Sequence, residues 1–242
     1  MELFIYDTYE KMSAEAAKKV MQIISLKTKT VLSPASGDSP KCLYSELVSI
    51  IQKNKTDISD LWFIGLDEWS GMNGEDEGSC RFYLDQQLFN PLQIDENKIS
   101  FFDGKAQFPW EECRKIDDTI LGLNGIDLAI VGLGMNGHVG MNEPGISPAL
   151  HSHVAEIDPV TQQVGQKYFK EKKEISGGLT LGIANLMEAK NVMLVVSGGK
   201  KASILKQVLE EDISEKLPAS FLRNHPNFSV YADAEAASLL KK

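Results

Sequence analysis

The sequence predicts an α/β fold, a three-layer α/β/α arrangement around a mostly parallel sheet, and three observations carry that prediction. Short apolar runs of strand length recur along the chain, and amphipathic helical patterns separate most of them. Four of the runs end directly in segments rich in glycine, carboxylates or lysine, and the C-terminal ends of parallel strands are where open α/β sheets keep their chemistry.

The first run is 3–6. After it Met12, Ala16, Val20 and Ile23 or Ile24 recur at helical spacing while Lys18, Lys19 and Gln22 face water, which predicts a helix with one side on the sheet. Residues 30–33 form the second strand and 41–52 the second helix. Residues 61–66, apolar throughout, suit a strand buried on both faces. Helix 81–89, strand 99–102 and helix 110–121 follow. Strand 128–131 comes after an acidic turn residue, Asp127, and Val192–Val196 is the next strand. Helix 201–210, strand 228–231 and a short helix 234–240 close the pattern.

No Pro/Gly/Ser-rich linker, low-complexity tract or internal repeat divides the 242 residues, so the chain reads as one domain, 1–242. Its 25 Lys+Arg against 34 Asp+Glu give a net charge of −9, which removes the driving force for general binding to nucleic acid or anionic membrane. An anionic substrate therefore needs a local basic site. Cys42, Cys80 and Cys113 are odd in number and widely spaced, which argues for reduced thiols rather than a disulfide framework or a zinc site. The N-terminus lacks a basic segment followed by an apolar one, and no run approaches the length of a membrane span. These features predict a soluble cytoplasmic protein, a monomer or small homo-oligomer.

Four segments after strands could carry chemistry. SPASGDSP (33–40) offers backbone N–H groups and hydroxyls at a helix start, a seat for phosphate; as an ordinary turn it would have Ser39 or Asp38 as N-cap and Pro40 in the first turn. Asp38 would have to turn away from an anion. FIGLDEWSGM (63–72) ends a strand in Asp67 and Glu68, adjacent carboxylates that can divide the roles of base and anchor. In an isolated pair they are more often a solvated acidic loop, although Trp69 disfavours full solvation. DLAIVGLGMNGHVGMNEPG (127–145) places Asn136, His138 and Glu143 beyond a strand, with glycines that leave His138 little local cover. Its Gly132, Gly134 and Gly137 spell GxGxxG, yet no long helix with an acidic residue about 20 positions on follows, so a nicotinamide or flavin is not expected. VMLVVSGGKKAS (192–203) brings Lys200 and Lys201 to a helix start, where lysine can meet a phosphate as a point charge. His151, His153 and His225 lack the spacing of a metal site, so neither metal nor cofactor is expected.

Taken in this order, the four segments resemble the glucosamine-6-phosphate deaminase/isomerase family, a Rossmann-like fold shared with 6-phosphogluconolactonases and, more distantly, ribose-5-phosphate isomerase. The resemblance runs from SPASGDSP through GLDEW and GLGMNGHVGMNEPG to the closing HPNFSVYAD. It implies conversion of an amino-sugar 6-phosphate to a ketose 6-phosphate with release of ammonia. Asp67 would then move a proton between C2 and C1, His138 would open the pyranose ring, and Glu143 would orient His138, with Asn136 at the position many members fill with aspartate. Ser36, Gly37, Ser39 and Lys201 match the family's phosphate seat, and Lys167 stands where well-known members have arginine. Glu68 and Gly137 fall in the same motifs as substrate-binding candidates, and the polar stretch 147–169 would serve as a lid. The chain ends without the C-terminal extension of the hexameric allosteric members, so allostery is not expected.

Three other functions fit the same segments. A galactosamine 6-phosphate substrate would differ only in contacts at O4. A 6-phosphogluconolactonase would share the phosphate seat and the histidine, although DEW and Asn-Glu-Pro depart from the pattern of those enzymes. A non-catalytic sugar-phosphate sensor would ordinarily carry a DNA-binding domain, for which this chain has neither the length nor a basic surface.

Overall fold

The computed structural model describes residues 1–241. In chain order the elements are β1 (Glu2–Tyr6), α1 (Tyr9–Ser25), β2 (Thr30–Pro34), α2 (Asp38–Asn54), β3 (Leu61–Ile64), β4 (Asp67–Trp69), α3 (Cys80–Leu84), α4 (Asn90–Leu92) and β5 (Ile99–Ser100). Then come α5 (Pro109–Gly122), β6 (Leu128–Gly132), β7 (His153–Glu156), α6 (Pro159–Gly165), β8 (Gly177–Thr180), α7 (Ile183–Glu188), β9 (Val192–Val196), α8 (Ala202–Glu210) and β10 (Phe228–Asp233).

Seven strands form one all-parallel sheet in the order β1-β10-β9-β6-β2-β3-β5. Side chains on successive strand residues point to opposite faces, and the apolar runs fill both. Leu32, Phe63, Leu128, Ile130, Met193 and Val195 pack on one side with Met12, Ala16 and Val20 of α1 and Leu43 and Leu47 of α2. Val31, Ile64, Ala129, Val131, Leu194 and Val196 pack on the other with Cys113 and Ile116 of α5, Leu186 of α7 and Leu205 and Val208 of α8. The three-layer expectation holds. Because all seven strands run the same way, the segments after β2, β3, β6 and β9 emerge at one edge.

Differences from the sequence reading concentrate at that edge. The third strand stops at Ile64, and DEW is not a loop but β4, which pairs antiparallel with β8 in a small second sheet ordered β4-β8-β7. Polar and glycine-rich, β7 and β8 lack the apolar alternation that identified the other strands, so their pairing is a tertiary event. Trp69, Met72, Cys80, Met141, Ala155, Ile157 and Ile175 form a small core beneath this sheet. The helix expected at 81–89 is a composite, with α3 passing into a wider π-helical stretch, Asp85–Phe89, before α4. At 234–240 the backbone makes successive turns rather than the expected helix, beginning where the Asp233 side chain accepts the Ala236 N–H.

Candidate active site

A cavity of about 860 Å³ opens at the C-terminal edge of the sheet and is lined by all four segments. Ser36, Gly37 and Ser39 come from the β2 loop, Asp67 from β4, His138 from the β6 loop and Lys201 from the β9 loop; Lys167 reaches in from the segment after β7. Strands β2 and β6 are neighbours although one follows the other only after three intervening strands, so the site lies where the strand order reverses.

The expected phosphate seat is a helix start. Gly37, at φ +121°, is the residue that caps α2, not Ser39 or Asp38, which already lie inside the helix. The Ser39 and Ser197 hydroxyls stand 3.4 Å apart, joining the β2 and β9 loops. Lys201 donates from Nζ to the Leu133 carbonyl at 2.5 Å. Burial, aided by the nearby Lys167 cation, pulls its ammonium down to about 8. Asp38 does not turn away; it pairs with Lys167 at the cavity mouth. Both side chains are about half exposed, and such pairs are worth about 0.2–1 kcal/mol. Asp38→Asn frees Lys167 and removes a like charge from the seat, so affinity for inorganic phosphate is expected to rise about two- to fivefold. Titration calorimetry of the variant beside the unaltered protein checks this.

Asp67 begins β4, opposite Thr180 of β8, whose hydroxyl accepts the Met141 N–H and so ties this strand to the loop that carries His138. Burial raises the Asp67 carboxyl to about 6; the Cys80 thiol and His138 keep it from rising further. Glu68 does not face the cavity, contrary to its expected role in substrate binding. Alternation along β4 turns it inward, where it is fully buried and its carboxylate accepts the N–H groups of Trp69, Cys80 and Arg81 at 2.8, 2.9 and 3.0 Å. It fastens β4 to the start of α3, and burial lifts it to about 7 against the pull of these donors.

The β6 loop turns tightly instead of opening a helix, as the reading of its GxGxxG run anticipated: the Gly134 N–H donates to the His138 carbonyl at 2.9 Å. Gly134 makes room for the His138 ring, because a Cβ there would lie 2.3 Å from it. Gly137, expected to bind substrate, does not line the cavity. Its carbonyl accepts the Ala219 N–H, its φ is +85°, and Leu217 packs against it on the side away from the cavity.

Asn136 determines which nitrogen of His138 is free. A carboxylate only accepts, so the Asn136 amide nitrogen must face Glu143, to which it donates at 2.8 Å. The Asn136 Oδ1 then faces His138 Nδ1 at 2.7 Å and also accepts the His138 N–H at 3.2 Å. An acceptor at that position requires the proton on Nδ1, which leaves Nε2 with its lone pair. Glu143 approaches Nδ1 at 3.4 Å, farther than Asn136, so it orients the imidazole mainly through the amide. Buried Asn142 secures the loop by donating to the Val139 and Leu181 carbonyls.

The expected lid 147–169 divides. Its first half includes β7, fixed in the small sheet, and the covering piece is α6 with the turn Gln166–Tyr168. Asp158 caps α6 and Pro159 opens it, a helix-start signature visible in the sequence. From this piece come two polar cavity residues that the sequence reading missed, beside Val160, Val164 and Gly165. Thr161 places Oγ1 3.0 Å from His138 Nδ1, and Tyr168 stacks edge-on against Tyr83 with its hydroxyl over Gly37. The remaining histidines do not converge: His151 pairs with Glu188, the His153 Nδ1 meets the His151 carbonyl, and buried His225 donates to the Ala189 carbonyl.

The family model described as glucosamine-6-phosphate isomerases/6-phosphogluconolactonase matches residues 7–230. The chain is 35% identical over 240 residues to the glucosamine-6-phosphate deaminase of Shouchella clausii (strain KSM-K16), covering 99% of this chain and 97% of that one. It is 34% identical to the enzyme of the same name from Clostridium perfringens (strain 13 / Type A) across the whole of both chains. Among solved structures, a monomeric glucosamine-6-phosphate deaminase superposes with a TM-score of 0.96 at 32% identity, covering 99% of this chain and 100% of the other. The 6-phosphogluconolactonase of Trypanosoma brucei gives 0.77 at 21% identity over 99% and 98%, which shows the shared fold alone. With a match that spans nearly its whole length, this chain belongs to the glucosamine-6-phosphate isomerase/6-phosphogluconolactonase family.

Proposed function

We propose that this protein is an aldose-ketose isomerase with deaminase activity that converts glucosamine 6-phosphate and water to fructose 6-phosphate and ammonia. The observation that carries the reading is one cavity with a half-buried carboxylate, Asp67, and an Nε2-free histidine at one end and a helix start with two lysines at the other. Full-length similarity to glucosamine-6-phosphate deaminases supports the choice of sugar.

The phosphate sits against Ser36, Gly37, Ser39 and Lys201, with Lys167 closing over it. Held there, the sugar is fixed at a distance from its reacting carbons, and binding energy is spent on orientation. His138 Nε2 takes the anomeric hydroxyl proton and returns it to the ring oxygen, which opens the pyranose to the aldehyde. Asp67 removes the C2 proton, the C2–H electrons form the C1–C2 double bond of an enolamine, and the carbonyl oxygen is protonated. Return of the proton to C1 gives a ketimine, and water displaces ammonia from it. Every step is a proton transfer or a hydrolysis, so no cofactor is called for.

The similar solved deaminase is monomeric, which supports a monomer here. No helix among the described residues is long and apolar enough to cross a membrane. We infer action in the cytoplasm, where sugar phosphates are held.

The test is a panel of glucosamine 6-phosphate, galactosamine 6-phosphate and 6-phosphogluconolactone, assayed for ammonia, ketose phosphate and lactone loss. Ammonia from glucosamine 6-phosphate in preference to the galacto epimer is the expected result. Ammonia from neither amino sugar refutes the reading, and a galacto preference transfers it to tagatose 6-phosphate.

A further inference from the structure

Phosphate capture and ring opening occur at opposite ends of the cavity, and one short piece of chain touches both. Helix α6 runs without interruption into Gln166–Tyr168, carrying Thr161 to His138 and Lys167 to Asp38 and the phosphate seat. The piece is firmly seated. A Cβ on Gly165 would meet Ile175 at 2.7 Å and the Trp69 ring at 3.3 Å, and Gln166 exchanges hydrogen bonds with the Lys173 backbone at 2.7 and 3.1 Å.

Thr161 is 7% exposed, and its Oγ1 shares the Nδ1 proton of His138 with Asn136. Glu143, beside it, has one carboxylate oxygen, Oε1, buried without a partner. Burial would raise the Glu143 carboxyl, yet His138, Asn136 and Thr161 together hold it below the usual carboxylate range.

We propose that Thr161 is a positioning residue for His138 and Glu143, holding the imidazole in place for ring opening. The proposal rests on the ring-opening role of His138. Without the Thr161 hydroxyl, Nδ1 keeps Asn136 alone and Glu143 loses one of the three groups that hold it.

Thr161→Val keeps the shape and removes the hydroxyl; Thr161→Ser keeps the hydroxyl. In the valine variant kcat for ammonia release from glucosamine 6-phosphate is expected to fall about tenfold, the cost of one hydrogen bond to a charged group, with KM within about twofold. The isotope effect on kcat with C2-deuterated substrate is expected to shrink, because ring opening becomes the slow step. Thr161→Ser is expected to recover most of the rate. A valine variant with kcat within about twofold of the unaltered protein, an undiminished isotope effect, or a serine variant as slow as the valine one overturns the role of Thr161. If the unaltered protein itself releases no ammonia, the functional reading fails, and the proposal with it.

Discussion

Asp67→Asn is expected to lower kcat/KM for ammonia release by at least about a hundredfold while leaving phosphate affinity within about twofold. Asparagine keeps the size and the hydrogen-bonding reach of the side chain but cannot accept the C2 proton, and a positioned base contributes about 10²–10⁴-fold. Phosphate affinity is spared because the groups proposed to hold it come from the β2 and β9 loops and from Lys167, not from β4. The pH profile gives a second reading of the same residue. Asp67 must be ionised to act, and burial sets its carboxyl at about 6, so kcat/KM should rise as pH climbs through that value. Lys201 must be protonated to attract the phosphate, and burial sets it at about 8, so kcat/KM should fall again above that value. A rate measured against pH in the unaltered protein should therefore be bell-shaped. Undiminished turnover by Asp67→Asn would remove the base assignment.

The second large effect is expected at His138. His138→Gln preserves a polar group of similar reach while abolishing the free imidazole nitrogen, and kcat should drop by about 10²–10³-fold. The step lost is ring opening rather than proton transfer at carbon. With C2-deuterated substrate the isotope effect should accordingly fall toward unity in this variant. An isotope effect that persists at full size would move His138 out of ring opening and into the C2–C1 transfer.

Much of this site was legible in the sequence. Asp67, His138, Ser36, Ser39 and Lys201 each follow a strand recognisable from its apolar run, and parallel strands send their C-terminal ends to one edge. Glu68 was misplaced for a physical reason: the DEW segment read as a loop, whereas in β4 the alternation of strand side chains sends Asp67 and Glu68 to opposite faces. Gly137 was misplaced because adjacency to His138 in sequence does not fix which side of a tight turn faces the cavity. Thr161 and Tyr168 were missed although the Asp158-Pro159 helix start was visible, since nothing local to that helix states what it covers.

By itself the sequence determined the layers, the strands of the large sheet and the chemistry gathered at its edge, because periodicity, turns and caps are written by residues close together along the chain. Only the tertiary structure decided that Asn136 rather than Glu143 holds the His138 proton, that Asp38 engages Lys167, and that α6 reaches His138 through Thr161. Those outcomes depend on distances between side chains of separate loops and helices. Strand order and the pairing of β4, β7 and β8 set these distances, and no local pattern encodes them.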